Sequence, residues 1–298
     1  MRRAALVYGL LTMVFWSSAF VGIRVGLRAF SPFHLVLLRF LTASVVLLAG
    51  VLIRGGRLIP PRRVWLRVAM SGVAGFTLYH TALTLGERTV NANTASFIVA
   101  AAPLFSAVLG RIFLKERLAS LAWLGMLISF AGVGVLSGVG GGIHWNALLI
   151  ILSALSTAAY FVLEKPLLME FPALDVTAWV TWAGTISMLL YGKGFVDSLI
   201  HAPAYPLLMV IYIGIFPAAV AYVTWSLALR NAPVGEIAPL LYLNPILASI
   251  LAWLMLGERP GWSLMAGGIM ILAGVWIIQV KSKMTQGTEI REARSEYQ

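Results

Sequence analysis

Residues 103–133 read PLFSAVLGRIFLKERLASLAWLGMLISFAGV, and residues 245–275, 142 positions later, read PILASILAWLMLGERPGWSLMAGGIMILAGV. The two copies share a proline at the start, a Leu-x-Glu-Arg turn in the middle and Ala-Gly-Val at the end. Solenoid repeats are much shorter, roughly 20–50 residues. The chain is therefore interpreted as a duplicated half-molecule.

The composition is that of a membrane protein. Hydrophobic residues make up 60% of the 298 positions and charged residues only 11%, which is far more apolar than an average soluble domain. The first apolar run, residues 4–27, follows two arginines and is succeeded by others of similar length, so we interpret it as a retained span and not a cleaved signal peptide. The sequence has no cysteine, which excludes disulfides and thiolate metal sites.

Stretches of about 20 mostly apolar residues predict an all-α polytopic membrane protein with ten transmembrane helices. Connectors rich in Gly, Pro or charged residues separate them. The predicted spans are residues 4–27, 34–54, 64–86, 92–112, 118–137, 146–164, 174–192, 206–229, 235–256 and 260–280.

The basic residues divide unevenly between the two sides of the membrane. With connectors assigned to alternate sides, 16 of the 22 lysines and arginines fall on the side of the N-terminus and five on the other. Because basic loops face the cytoplasm, both termini are predicted to be cytoplasmic. The net charge of +11 thus reflects topology and does not indicate a nucleic-acid partner.

The repeat predicts how the two halves are oriented. We place the first repeat at residues 1–140, the second at 145–280 and a cytoplasmic tail at 281–298. An odd number of spans in each half makes the second half enter the membrane from the opposite side, which is an inverted repeat. Before the repeated stretch that begins at Pro103, the two copies match when residue numbers are shifted by 140. This shift pairs Arg24 with Glu164 and Pro32 with Pro172. Inverted repeats are typical of secondary transporters that work by alternating access, although duplication can also build a bundle of another function.

The two strings LKERLASLAWLGMLISFAGVGVL and LGERPGWSLMAGGIMILAGVWII resemble the closing parts of the two EamA modules of the drug/metabolite transporter superfamily. This resemblance implies ten helices, cytoplasmic termini and export of small metabolites across the inner membrane. Within that family the chain resembles the YddG-type aromatic amino-acid exporters, on length, overall pattern and aromatic placement.

Polar residues inside spans are costly, so each is a candidate for function. Arg39 and His80 are both predicted to lie roughly 8–10 Å below the outer boundary, where they could share a pocket with Tyr79. Arg39 could instead snorkel to the interface. His80 could be a neutral imidazole bonded to a neighbouring helix.

A second set of candidates is aromatic. Of the aromatic residues near mid-depth, Trp16, Trp182 and Tyr242 lie too deep in their spans for an interfacial belt. The full set is Trp16, Tyr160, Trp179, Trp182, Tyr222, Trp225 and Tyr242. They are predicted to line a cavity that stacks on aromatic or apolar solutes. The alternative is that they pack as bundle core.

Smaller polar groups and prolines complete the predicted site. The hydroxyl segments Ser17-Ser18, beside Trp16, and Ser156-Thr157 occupy equivalent places in the two halves. Ser17 and Ser156 are either ligands or close-packing residues. Asn244 adds a polar group before Pro245, where the first half has Ala102 before Pro103. Because proline removes a helix hydrogen bond, Pro103 and Pro245 are predicted hinges.

The ionisable residues predict weak energy coupling. The carboxylate of an amino-acid substrate could be bound by Arg39, and its ammonium group by aromatic faces. Glu164 and Glu236 are expected at span ends, in solvated positions. This leaves His80 as the only expected buried proton carrier and favours facilitated export.

The predicted function is export of amino acids. The expected substrate range is broad and favours aromatic and neutral amino acids. Export of another small metabolite or drug is the alternative, and a membrane-embedded lipid enzyme is disfavoured because the four histidines are scattered without carboxylates. No Walker loop is present, and we expect no metal or cofactor. The expected partners are the small-molecule substrate and the lipid bilayer, with the protein a monomer or homodimer.

Overall fold

The computed structural model describes residues 3–87, 99–116, 120–137, 145–256, 262 and 265–278. The second Glu-Arg turn, at residues 258–259, and the tail lie outside these ranges. Within them the regular structure is helical: α1 Arg3–Gly26, α2 Pro32–Arg54, α3 Trp65–Gly72, α4 Tyr79–Glu87, α5 Ala102–Phe113, α6 Ser120–Ser137, α7 Trp145–Glu170, α8 Ala173–Met188, α9 Phe195–Ile200, α10 Ala204–Ile215, α11 Ala221–Asn231, α12 Val234–Ile237, α13 Leu243–Leu256 and α14 Met265–Ile278.

Five runs in the described chain are long and apolar enough to cross a membrane, which confirms a polytopic membrane protein. They are Arg3–Ile23, Pro32–Arg54, Leu148–Glu170, Ala173–Tyr191 and Ala204–Asn231. Shorter apolar helices occupy Ala102–Phe113, Ser120–Val135, Val234–Ala248 and Met265–Ile278. The number of ten crossings remains a prediction.

Helix α2 shows how local sequence sets the boundaries of a span. The Ser31 side chain accepts a hydrogen bond from the His34 N–H at the N-terminus, as an N-cap does. At the other end Gly55 has a φ of 66°, a left-handed conformation that glycine adopts without strain. The apolar run therefore starts and stops as a single helix.

Two of the long helical runs contain a π-helical turn. The first, Val73–Leu78, joins α3 to α4, and the second, Phe216–Val220, joins α10 to α11. Pro217 lies in the second turn, where its missing N–H favours a departure from the α-helical pattern. In the first turn Gly75 has no room for a side chain, because a Cβ there would lie 2.6 Å from Cδ2 of Tyr160. Such π turns often occur at functional sites.

Helices from the two predicted halves are packed together throughout the bundle. Helix α1 packs on α10, α11 and α13, while α7 packs on α3, α4 and α5; α2 packs on α8. Helices α6 and α14 meet at glycines. A Cβ on Gly132 would lie 2.8 Å from the Gly267 carbonyl oxygen, and one on Gly125 would lie 2.7 Å from that of Gly274. Between these contacts the Ser129 hydroxyl donates to the Ile271 carbonyl at 3.3 Å.

The loops near Arg54, Arg57, Arg63, Lys165 and Arg230 form what we call the basic end, which the charge pattern predicts to be cytoplasmic. Here Glu116 accepts hydrogen bonds from the backbone N–H groups of Val234, at 3.0 Å, and Gly235, at 3.2 Å. Lys165 donates to the carbonyl oxygens of Leu229 and Ala232. These charges match the helix dipoles, since the anion lies at the start of α12 and the cation at the end of α11. The first Glu-Arg turn thus holds the loop of the other half.

Candidate functional site

Aromatic side chains from five helical runs meet in the interior. We call Trp16, Phe40, Phe76, His80, Tyr160, Tyr222 and Trp225 the central aromatic cluster. Tyr222 is its middle member, with ring centroids 4.7 Å from Phe76, 5.3 Å from Trp16 and 6.1 Å from Tyr160. The His80 Nε2 atom lies 3.4 Å from the Tyr222 hydroxyl. The predicted candidates Trp16, His80 and Tyr160 are therefore brought together.

Arg39 and Tyr79 border this cluster. Arg39 is only 4% exposed, so it is not a snorkelling residue. Its guanidinium carbon lies 5.4 Å from the centroid of the Phe40 ring, and its Nε–H has no hydrogen-bond partner among the described residues. The Tyr79 ring lies edge-on to His80 at 4.6 Å. A positive charge and an imidazole therefore share one side of the cluster.

Hydroxyl and amide groups link the cluster to its surroundings. The Trp16 indole N–H donates to the Pro217 carbonyl at 3.0 Å, and the Ser156 hydroxyl donates to the Ala74 carbonyl at the same distance. Both acceptors belong to the π turns or border them. The Ser17 hydroxyl lies 3.2 Å from Asn244 Oδ1, which joins α1 to α13.

Other predicted candidates lie apart from the cluster. The Trp182 indole N–H donates to the Ser44 carbonyl at 3.2 Å, in the contact between α8 and α2. Tyr242 is fully buried in the 3₁₀ segment before α13, and its hydroxyl has no partner in the described chain. Pro103 and Pro245 both lie in the first turn of a helix, α5 and α13 respectively. Their roles as ligands and hinges remain predictions.

The structure corrects the expectation for Glu164. Its predicted span ended at residue 164, but α7 continues to Glu170 with Pro166 inside the helix. Glu164 is 0% exposed and is not a solvated residue. One carboxyl oxygen accepts from the Ser226 hydroxyl at 2.7 Å, and Ser226 lies 2.8 Å from the Thr177 hydroxyl. The Tyr160 hydroxyl, one helical turn earlier, also faces the carboxyl group.

Sequence reasoning missed several members of this interior. Phe40 and Phe76 look like ordinary apolar span residues, and Ser226 and Thr177 look like packing residues, so composition gave no signal for them. Tyr222 is not among those missed, because the sequence places it with the mid-depth aromatic residues of the spans. It stands 142 residues after His80, which is the shift of the repeat, so the pair occupies equivalent positions in the two copies.

An open cavity of about 520 Å³ lies at the basic end. Its wall includes Arg54, Arg57, Arg63, Glu170 and Asp175. Asp175 accepts a hydrogen bond from the Arg57 N–H at 3.2 Å, and Arg63 forms an ion pair with Glu170. Among the described residues no three His, Asp or Glu side chains are grouped as metal ligands would be.

Comparison with known proteins gives a consistent picture. The sequence profile of the EamA-like transporter family matches residues 3–138 and again 144–280. The transporter YdfC of Bacillus subtilis is 34% identical over 89% of this chain and 88% of its own. A protein of Streptantibioticus cattleyicolor named "Probable terminal-alkyne amino-acid exporter" is also 34% identical, over 90% of this chain and 91% of its own.

A solved crystal structure has the same fold, with a TM-score of 0.81 over 96% of this chain and 99% of its own, at 22% identity. These relatives and the apolar helices identify a multi-pass transporter of the cell (inner) membrane, with a small molecule as substrate. They point to a transporter rather than an enzyme. Two profile matches that together cover nearly the whole sequence show that the chain belongs to the EamA-like transporter family.

Proposed function

We propose that this protein exports amino acids, aromatic and neutral, from a site at the central aromatic cluster by alternating access between two inverted halves. The observation that carries this proposal is a group of buried donors without partners among the described residues. They are the Arg39 Nε–H and the Trp225 indole N–H. Because buried polar groups are nearly always hydrogen-bonded, such donors indicate where a polar ligand or water binds.

The chemistry around these donors suits an amino acid. Arg39 offers a charged donor to a carboxylate, and the faces of Tyr222 and Tyr160 suit an ammonium group or an aromatic side chain. Trp16, Ser17, Tyr79, His80, Ser156 and Asn244 border the same region and are proposed to shape it. A relative of similar length is named as an amino-acid exporter, which supports this substrate class.

Paired contacts support the inverted arrangement. Trp16 and Ser156, at equivalent places in the two copies, each donate to a π-turn carbonyl of the other half. His80 with Tyr222 and Ser129 with Ile271 are each 142 residues apart and in contact. Residues related by a two-fold axis meet in this way only where the axis passes between them.

We further propose how the halves move. Residues 1–140 and 145–280 are the exchanging units, with both termini cytoplasmic and with Pro103 and Pro245 as hinges. Each proline lies in the first turn of a helix that follows a break in regular helix geometry, where its missing N–H costs no helix hydrogen bond, and this break is the proposed hinge. One chain contains both halves, and a monomer is therefore sufficient for the mechanism.

Counterflow in proteoliposomes tests this function. Vesicles loaded with one unlabelled solute are mixed with labelled phenylalanine, and the panel of loaded solutes includes aromatic, neutral and charged amino acids, a nucleoside and a sugar. We expect aromatic and neutral amino acids to drive uptake of label. If no amino acid does so while another solute class does, the alternative of a different metabolite exporter replaces this proposal.

A further inference from the structure

Glu164 is a carboxyl group buried in the interior of a membrane protein. It lies six residues, or about 9 Å, before the end of α7 at Glu170. Tyr160, a member of the central aromatic cluster, precedes it by one helical turn on the same face. Glu164 therefore connects the proposed substrate site with the basic end.

The surroundings of Glu164 do not suit a permanent negative charge. The groups that face this carboxyl group are neutral hydroxyls: that of Ser226, which donates to it at 2.7 Å, and that of Tyr160, one helical turn earlier. An ionised carboxylate buried in this way is strongly disfavoured unless a cation accompanies it. A protonated carboxyl group avoids this penalty.

The described cations nearby are directed elsewhere. Lys165, the next residue, donates to carbonyl oxygens of Leu229 and Ala232, and Arg39 lies beyond Phe40 and Tyr222. The titratable and charged groups on the elements packed against α7 are Arg67 on α3, Tyr79 and His80 on α4, Arg111 on α5, Asp175 on α8, Tyr222 and Arg230 on α11 and Glu236 on α12. No described cation forms an ion pair with Glu164.

We propose that Glu164 carries the proton that couples export to proton entry, an inference that rests on the proposed function. With the site empty, the carboxyl group is protonated, as its surroundings require. An amino acid arriving from the cytoplasm brings an ammonium group to the aromatic faces, and Glu164 then releases its proton to cytoplasmic water. When the site opens outward, a proton from outside returns to the carboxylate as the substrate leaves. One proton enters for each amino acid exported.

Water has a short way to reach this group. The cavity of about 520 Å³ at the basic end is lined by Glu170 and Phe171, at the end of the helix that bears Glu164. Thr177 and Ser226 form a chain of hydroxyl groups beside the carboxyl group. Opening of the basic end would connect the cavity with Glu164.

The experiment compares wild type, Glu164→Gln, Glu164→Asp and Glu170→Gln in proteoliposomes. Glu170 is the matched control because it has the same side chain on the same helix but is exposed, with 41% of its side chain accessible. Counterflow of labelled phenylalanine first measures transport without a gradient. An acidic lumen, one pH unit below the bath, then measures coupled accumulation, with the membrane potential held at zero by potassium and valinomycin because each cycle moves one net charge. One-for-one exchange then limits accumulation to about tenfold.

We expect wild type and Glu170→Gln to accumulate phenylalanine several-fold in the acidic lumen. Glu164→Gln, which imitates the protonated acid and cannot exchange its proton for substrate, should lose accumulation and part of its counterflow while keeping the thermal unfolding midpoint of wild type. Glu164→Asp retains an ionisable group and should keep part of the accumulation. Accumulation by Glu164→Gln, or its absence in a wild type that is active in counterflow, would overturn the proposal.

An infrared measurement makes the test independent of substrate. The wild-type protein at neutral pH should show the C=O band of a buried carboxylic acid that is missing from Glu164→Gln. If this band is absent from wild type, Glu164 is ionised at rest and the inference fails even where export is demonstrated. If the band is present and no amino acid is transported, the proposed function fails and the protonated state of Glu164 stands.

Discussion

Helix α1 contacts the second π turn, and helix α7 contacts the first. The two contacts use the same kind of hydrogen bond but different side chains. In both, a donor from a helix meets a carbonyl of a π turn at 3.0 Å. On α7 the donor is Ser156, a small residue, and the large ring of Tyr160 packs against Gly75 instead. On α1 the donor is Trp16, and its ring itself enters the central aromatic cluster. The backbone geometry is shared, while the side chains that fill the interior differ.

This difference separates scaffold from chemistry. The shared hydrogen bonds fix where helices cross, and in the proposed mechanism they take part in the exchange of the two halves. The asymmetric residues are the ones proposed to decide what the site binds. Glu164 is another position at which the two copies differ, because its equivalent in the first copy is Arg24, a residue of opposite charge.

The first prediction would break the α7 contact. Gly75→Val places a side chain against the Tyr160 ring, with the Cβ 2.6 Å from Cδ2. Overpacking of this kind costs about 1–3 kcal/mol, so the midpoint of thermal unfolding in detergent should fall by several degrees. Gly268→Val is the control, because its closest neighbour, Ile246, lies 4.0 Å away. Equal stability of the two variants would show that Tyr160 can move aside.

The second prediction separates binding from packing. Trp16→Ala removes a ring from the central aromatic cluster, and kcat/KM for phenylalanine counterflow should fall by about tenfold, as expected for loss of stacking worth roughly 1 kcal/mol or more. Trp182→Ala removes a tryptophan from the α2 and α8 contact and should lower thermal stability, with a much smaller loss of kcat/KM per folded molecule. The reverse order would restore Trp182 to the binding site.

The third prediction compares the two hydrogen bonds directly. Trp16→Phe and Ser156→Ala each leave one π-turn carbonyl without its donor, and each should lower the free energy of unfolding by about 1 kcal/mol. If the two contacts are equivalent, the measured losses in stability should agree closely and add in the double variant. If only one of the two variants loses stability, the two hydrogen bonds do not contribute equally to the free energy of unfolding.

The fourth and smallest effect is expected at the basic end. Glu116→Gln keeps the hydrogen-bonding shape but removes the charge at the start of α12, which should cost about 0.3–1 kcal/mol. An effect of Glu116→Gln that persists unchanged at high salt would contradict an electrostatic origin.

Much of the fold could be predicted because hydrophobic spans follow from composition and length alone. The repeated stretches predict two equivalent halves, and the rarity of polar residues in spans singles out Arg39 and His80. The residues that fill the interior were harder to predict from the sequence. A phenylalanine such as Phe76 looks the same in sequence whether it faces lipid or a substrate site, and only packing distinguishes the two.

The error over Glu164 has a definite cause. The predicted span ended at residue 164, where the apolar stretch ends, and this placed Glu164 at a span end. The helix continues because Lys165 is held by carbonyl groups of Leu229 and Ala232, which compensates for burying its charge. That compensation comes from residues more than 60 positions away, beyond the reach of a local pattern.

The contact of α1 with α11 also sets conditions for synthesis. The hydroxyl groups of Thr12 and Thr224 lie 2.7 Å apart although 212 residues separate them. At roughly 5–20 residues per second, the first helix waits about 10–40 s before its partner leaves the ribosome. Throughout that interval the polar groups of α1 face lipid or the insertion machinery instead of their final neighbours. The N-terminal half, released alone, would lack the surfaces that cover its first helix.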